Sequence, residues 1–106
     1  MSRLLVLLLV LSIRPVLAEP DAGPWEDMPQ GEGRRETFAI CSACHSIKLV
    51  EQQGMTRPQW HETLVYMVEE HGMAPLGEPL LERILDYLVM AYPPDRPNWN
   101  PEGLQH

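Results

Sequence analysis

Five consecutive residues, Cys41-Ser42-Ala43-Cys44-His45, constrain this chain more than any other stretch. Cysteines three residues apart on a helical turn point to one side, so both sulfurs can bond the same flat partner. The histidine that follows then lies beneath that partner with its imidazole directed at the centre. Cys-x-x-Cys-His is the attachment sequence for haem, in which the sulfurs add to two vinyl groups and the imidazole binds iron. One haem c, held through Cys41 and Cys44 with His45 as proximal iron ligand, is the expected cofactor.

Two other uses of paired cysteines fit less well. A thioredoxin-like redox pair needs a βαβ setting, and no segment of this chain reads as a strand. A zinc site needs further ligands, but no second Cys-x-x-Cys and no His-x3–5-His pair closes a tetrahedron. In an exported protein two cysteines would suggest a disulfide, yet a bridge across two residues constrains little of the chain.

Export is what the start predicts. Arg3 is a short basic head, Leu4 to Ile13 an apolar run, and Val16-Leu17-Ala18 supplies small residues for cleavage after Ala18. The run is too short for a bilayer of about 30 Å, so no membrane anchor is expected after cleavage. Residues 1–18 read as a signal peptide and the destination as the periplasm. Their removal leaves 88 of the 106 residues, a length at which a core made of protein alone is marginal. It also removes Arg3 and Arg14, so 6 basic residues face 15 acidic ones, a net charge near −9. Nucleic acid is therefore a poor partner, and a protein with a positive patch a better one.

Residues 19–31, rich in Pro, Gly and acids, read as an extended arm with Trp25 packed on the domain. Residues 32–94 read as the domain, and residues 95–106 as a Pro-rich tail carrying Trp99. A first helix is expected from Glu32 to Ala43, with Phe38 in the core, then a loop from Ser46 to Met55. Thr56, Pro58 and Gln59 spell a capped helix start. Trp60, Leu64, Met67 and Val68 give that helix one apolar face to about Glu70, while Glu62, Glu69 and Glu70 fall on solvent. Residues 71–77 read as a loop. Pro79 opens a third helix to about Tyr92, its buried side lined by Leu80, Leu81, Ile84, Leu85, Leu88 and Tyr92. The expected fold is all-α, about three helices around one haem with extended terminal arms.

The sixth iron position decides between electron transfer and small-molecule binding. Met73, in the loop before the last helix, is the expected distal donor, because a loop delivers a side chain over a flat disc more easily than a helix does. Met55, just ahead of the second helix, and Met67, within it, are the alternatives. Met67 and Met90 sit at helix positions where a thioether usually fills core. His61 and His71 would give bis-histidine ligation instead.

The order of Cys-x-x-Cys-His, a loop methionine near a proline, and a helix carrying Tyr87-Leu88 resembles a small class I cytochrome c. Cys41 to Ser46, Gln52-Gln53-Gly54-Met55, Arg57, Trp60 and Ile84-Leu85-Asp86-Tyr87-Leu88 resemble, more narrowly, the cytochrome subunit of periplasmic sulfite dehydrogenases. The resemblance spans about Phe38 to Pro94, with a shorter link between the haem motif and Met73 than class I cytochromes usually have. It implies a non-catalytic haem subunit that accepts electrons from a molybdopterin sulfite dehydrogenase and passes them to a downstream cytochrome or oxidase. A generic periplasmic carrier, the partner of a different dehydrogenase, and a haem sensor or peroxidase with an open site are the other functions this sequence admits.

Overall fold

The computed structural model describes residues 11–15 and 22–96. The cleavage point after Ala18 and most of the tail, Trp99 included, lie outside the described residues. Four helices follow in order: α1 (Arg34–Cys41), α2 (Lys48–Glu51), α3 (Arg57–His71) and α4 (Leu80–Ala91). No strand occurs among the described residues, so the fold is all-α as the sequence predicts. None of the described helices is long and apolar enough to cross a membrane.

The expectation of three helices falls short by one. Residues 48–51, expected as loop, form the single turn α2. Ser46 Oγ accepts the Lys48 amide, Lys48 Nζ pairs with Glu51 at 2.9 Å, and Val50 turns inward. Four residues carry too little periodicity to announce this turn. The first helix is also shorter than the expected Glu32–Ala43. Gly33 holds φ 91°, a left-handed conformation incompatible with helix, and fixes the start at Arg34. A Cβ at Gly33 would meet the Arg83 carbonyl oxygen at 2.9 Å, so glycine also lets α1 approach α4. At the other end Ser42 turns its hydroxyl back onto Phe38 O, closing the helix at Cys41.

The start of α3 is as expected. Thr56 accepts from the Gln59 amide, and the Gln59 side chain accepts from the Thr56 amide at 2.9 Å, a complete capping box. Gly72, at φ 73°, ends the helix. α4 packs against both α1 and α3 and is the spine of the domain. Ile84, Leu85, Leu88 and Tyr92 are buried as its periodicity predicts, joined by Tyr87 and Ala91, whereas Leu80 and Leu81 in the first turn are only half-buried. The Tyr92 carbonyl ties the layers together, accepting from Trp60 Nε1 at 3.1 Å and from the Met55 amide at 3.0 Å.

The described part of the arm is not extended. Residues 23–28 coil in successive turns closed by Glu26 N to Gly23 O and Met28 N to Trp25 O. Trp25 does pack on the domain, edge-on to Phe38 at 6.0 Å and under the Arg35 guanidinium at 5.2 Å. Met28 is 3% exposed, and Arg34, 4% exposed, donates to its carbonyl. The Tyr87 hydroxyl donates to Pro29 O, a second tie between arm and spine. At the far end Arg96 donates to the carbonyls of Glu51 and Gln53 and lies over the Tyr92 ring.

Candidate functional site

Between α1 and α3 lies a cavity of about 590 Å³, with Leu88 of α4 at its floor. α1 contributes Ile40 and Cys41, and the turn after it contributes Cys44 and His45. α2 adds Leu49 and Val50, and the following loop adds Gln53 and Met55. From α3 come Trp60, Thr63, Leu64, Met67 and His71, and from the loop beyond it Met73. Its walls are aliphatic and aromatic, with a few convergent polar groups, the usual build of a cofactor site.

Every donor singled out in the sequence except His61 faces this one space. Cys41 and Cys44 stand on the same side, Cys41 as the last residue of α1 and Cys44 in the turn beyond it. Both are free thiols. Burial pushes the Cys41 thiol up to about 11, so it is protonated at neutral pH. That is the opposite of the depressed value that makes a thiol active in disulfide exchange. His45 Nδ1 lies 3.1 Å from Ser46 O. A carbonyl only accepts, so this contact puts the proton on Nδ1 and leaves the Nε2 lone pair free to bind a metal.

The three thioethers are not equivalent. Met55 is half-buried at the end of the loop, its sulfur 3.5 Å from the Thr63 hydroxyl. That hydroxyl is closer to Gln59 O, at 2.8 Å, and donates there. Met67, expected to fill core, is instead half-buried on α3 and lines the cavity, apart from the side chains packed on the buried core. Met73 is half-buried in the loop that leaves α3, with its amide donating to Met67 O at 3.0 Å. Met90, expected as core filler, is 50% exposed, on the side of α4 beside Gly31.

His61 is separated from the other donors. It lines a second groove of about 210 Å³ behind the Met73 loop, with Val65, Val68, Pro75, Leu76 and Leu81. Met73 and Leu64 border both spaces. His71 borders the large cavity, and its ring stacks edge-on against Tyr66 at 5.0 Å. Sequence reasoning missed the contribution of α2, whose Leu49 is 51% exposed at the cavity's rim. It also missed Thr63, a polar residue on the apolar side of α3. Among the described residues no group of three or more His, Cys, Asp and Glu side chains is arranged to hold a metal ion.

No family model matches the chain, and neither the curated proteins nor the solved structures contain a match.

Proposed function

We propose that this chain is a periplasmic electron-transfer protein carrying one haem c, a small cytochrome of class I type. The observation that carries the reading is the convergence of two thiols, an imidazole and a loop thioether on a single apolar cavity. The residues present fit haem. Cys41 and Cys44 supply the S–H bonds that add across two vinyl groups, leaving two thioethers and no free thiol. His45, with Nδ1 held by Ser46 O, offers Nε2 to iron. Met73 is the distal donor on this reading, with Met55 and Met67 as the other thioethers that border the cavity.

Bound haem supplies a one-electron ferric/ferrous couple. The chain does the rest. Ile40, Val50, Leu64 and Leu88 give the cavity apolar walls, and a low dielectric on that side favours the less charged ferrous state. A thioether from Met73 pushes the same way. Cys44 and Leu49 are exposed at the rim, which brings one edge of the site within reach of a partner. The cations of the domain are engaged locally: Lys48 with Glu51 and Asp27, Arg57 with Glu82 and Asp86, and Arg83 with Glu32 and Glu36. Glu62, Glu69 and Glu70 stand exposed on α3, so that helix presents negative charge to solvent.

The donor we favour is a molybdenum sulfite dehydrogenase, and the acceptor a downstream cytochrome. The support is the resemblance through Gln52-Gln53-Gly54-Met55, Arg57, Trp60 and Ile84 to Leu88. Four residues of those runs, Gln53, Met55, Trp60 and Leu88, line the cavity. Purified from an exporting host, the protein should stain for haem on a denaturing gel. Its oxidised spectrum should be low-spin with a weak near-infrared iron–methionine band. A catalytic amount of sulfite dehydrogenase plus sulfite should reduce it, at a rate that falls with added salt. Absence of covalent haem would refute the function. Absence of reduction by an active enzyme would remove the sulfite partner and leave a generic carrier.

A further inference from the structure

We infer that His71 is a second distal donor, which takes the iron whenever Met73 leaves it and keeps the site closed to outside ligands. The inference rests on the haem reading above and assigns a role to a residue that reading does not use. Both side chains border the donor cavity, and they are two residues apart where the chain leaves α3. His71 is the last residue of the helix and is exposed. Its ring rests edge-on against Tyr66, a contact an imidazole can leave at small cost. Gly72, between the two donors, has φ 73° and no heavy atom within 4 Å of where a Cβ would sit. The Gly72 and Met73 amides both donate to Met67 O and close the helix end, so re-aiming Met73 opens these cap bonds but displaces no packed neighbour of Gly72.

Met73 also has somewhere to go. It borders the groove behind the loop as well as the cavity, so its thioether can move in beside the half-buried Val68 and Leu76 in that open groove. The residues on either side, Gly72 and Ala74, are exposed, so no packed side chain next to Met73 holds the segment in place. The other imidazole of α3, His61, borders only that groove and is no candidate for the iron. Chemistry gives the exchange its direction. Thioether sulfur favours ferrous iron, whereas an imidazole lacks that preference, so loss of Met73 from ferric iron leaves His71 the better ligand at hand. The result is a lower-potential, bis-imidazole site in place of an open one. The exchange would need no electron: the iron–sulfur bond to Met73 would be replaced by an iron–nitrogen bond to the neutral His71 imidazole, any proton on that nitrogen passing to solvent.

The test uses the haem-loaded full chain and reads spectra rather than turnover. Met73→Ala should lose the near-infrared methionine band yet stay low-spin in the ferric state, with the electron paramagnetic resonance signature of two imidazoles. Adding His71→Ala to it should give high-spin iron. Added imidazole should then bind about tenfold more tightly than to Met73→Ala, the factor expected if His71 fills the site in about nine molecules of ten. Met73→Ala/His61→Ala should behave as Met73→Ala does, and His71→Ala alone should keep the methionine band. Should Met73→Ala fail to accumulate, Met73→Leu keeps the bulk without the donor and answers the same question. A high-spin Met73 variant, a retained methionine band, or a low-spin double variant lacking both Met73 and His71 would each overturn the role of His71. Failure of the wild type to carry covalent haem is a different outcome and would overturn the reading beneath it.

Discussion

Trp60 offers the sharpest quantitative test of how the cavity wall is held. The indole is 3% exposed, lines the cavity, and donates through Nε1 to Tyr92 O at 3.1 Å. Trp60→Phe keeps most of the ring and removes that donor. The Tyr92 carbonyl is not orphaned, because the Met55 amide still donates to it at 3.0 Å. The loss is then one ordinary hydrogen bond, about 1 kcal/mol, without the penalty for a stranded polar group. Trp60→Ala removes the whole ring and should cost about 3–5 kcal/mol. In a domain of this size each kcal/mol corresponds to about 4–8 °C in melting temperature. Thermal unfolding of the haem-loaded variants, followed by far-ultraviolet circular dichroism, separates the two effects. If Phe cost as much as Ala, the indole hydrogen bond rather than ring packing would hold α3 to the end of α4. The division of energies above would then be wrong.

Other perturbations follow from the same contacts. Cys41→Ser with Cys44→Ser should abolish haem staining on a denaturing gel and leave a largely unfolded chain by circular dichroism, since cofactor burial supplies much of so small a core. His45→Ala should lose the low-spin optical spectrum even where the thioether links form, and an unchanged spectrum would refute His45 as proximal ligand. Met67→Ala should leave the near-infrared methionine band in place. Because the side chain is half-buried at the cavity wall, it should cost less in chemical denaturation than a fully buried truncation, which costs about 2–5 kcal/mol. Alkaline pH should unfold the domain through its tyrosines. Burial pushes the Tyr87 phenol up to about 12 and raises Tyr92 as well, so the folded state favours the neutral forms. Their contribution is complete below the unfolded value of about 10 and is lost as pH rises through about 12. Urea midpoints across that window should fall, and Tyr87→Phe should flatten the fall.

What was legible in the sequence is what local chemistry dictates. The capping box at Thr56 and Gln59 involves residues three apart, so the start of α3 needed no tertiary information. The period of α4 gave most of its buried face for the same reason, with Tyr87 and Ala91 the additions the structure makes. The reason Tyr87 is buried lies far away in sequence, at Pro29, whose carbonyl accepts from its hydroxyl. Met28 and Arg34 escaped notice likewise: an arm folded in turns covers them, and composition shows only that an arm exists. Within the site, periodicity marks the inner side of α3 but cannot divide it. His61 and His71 lie about 80° apart around an ideal helix, close enough to share a face. Only the packing of the Met73 loop assigns one to the groove and the other to the cavity.

The division of labour between helices and joints follows from what each can do. Helices present side chains at fixed spacing and supply walls: Ile40 from α1, Leu64 from α3 and Leu88 from α4. α1 and α3 each pack on α4, Gly33 allowing the first of these contacts its close approach, so the walls are set by the spine. The donors sit where helices end. Cys41 closes α1, Cys44 and His45 follow it, His71 closes α3 and Met73 follows that. At a helix end the backbone can turn, so a sulfur or an imidazole can be aimed at a cofactor lying across the bundle. A donor on a rigid wall must match its metal in one register, whereas a donor at a joint can be exchanged for its neighbour. On the proposed haem reading, the walls would hold their shape while exchange of the distal ligand would be confined to the helix end at His71 and Met73.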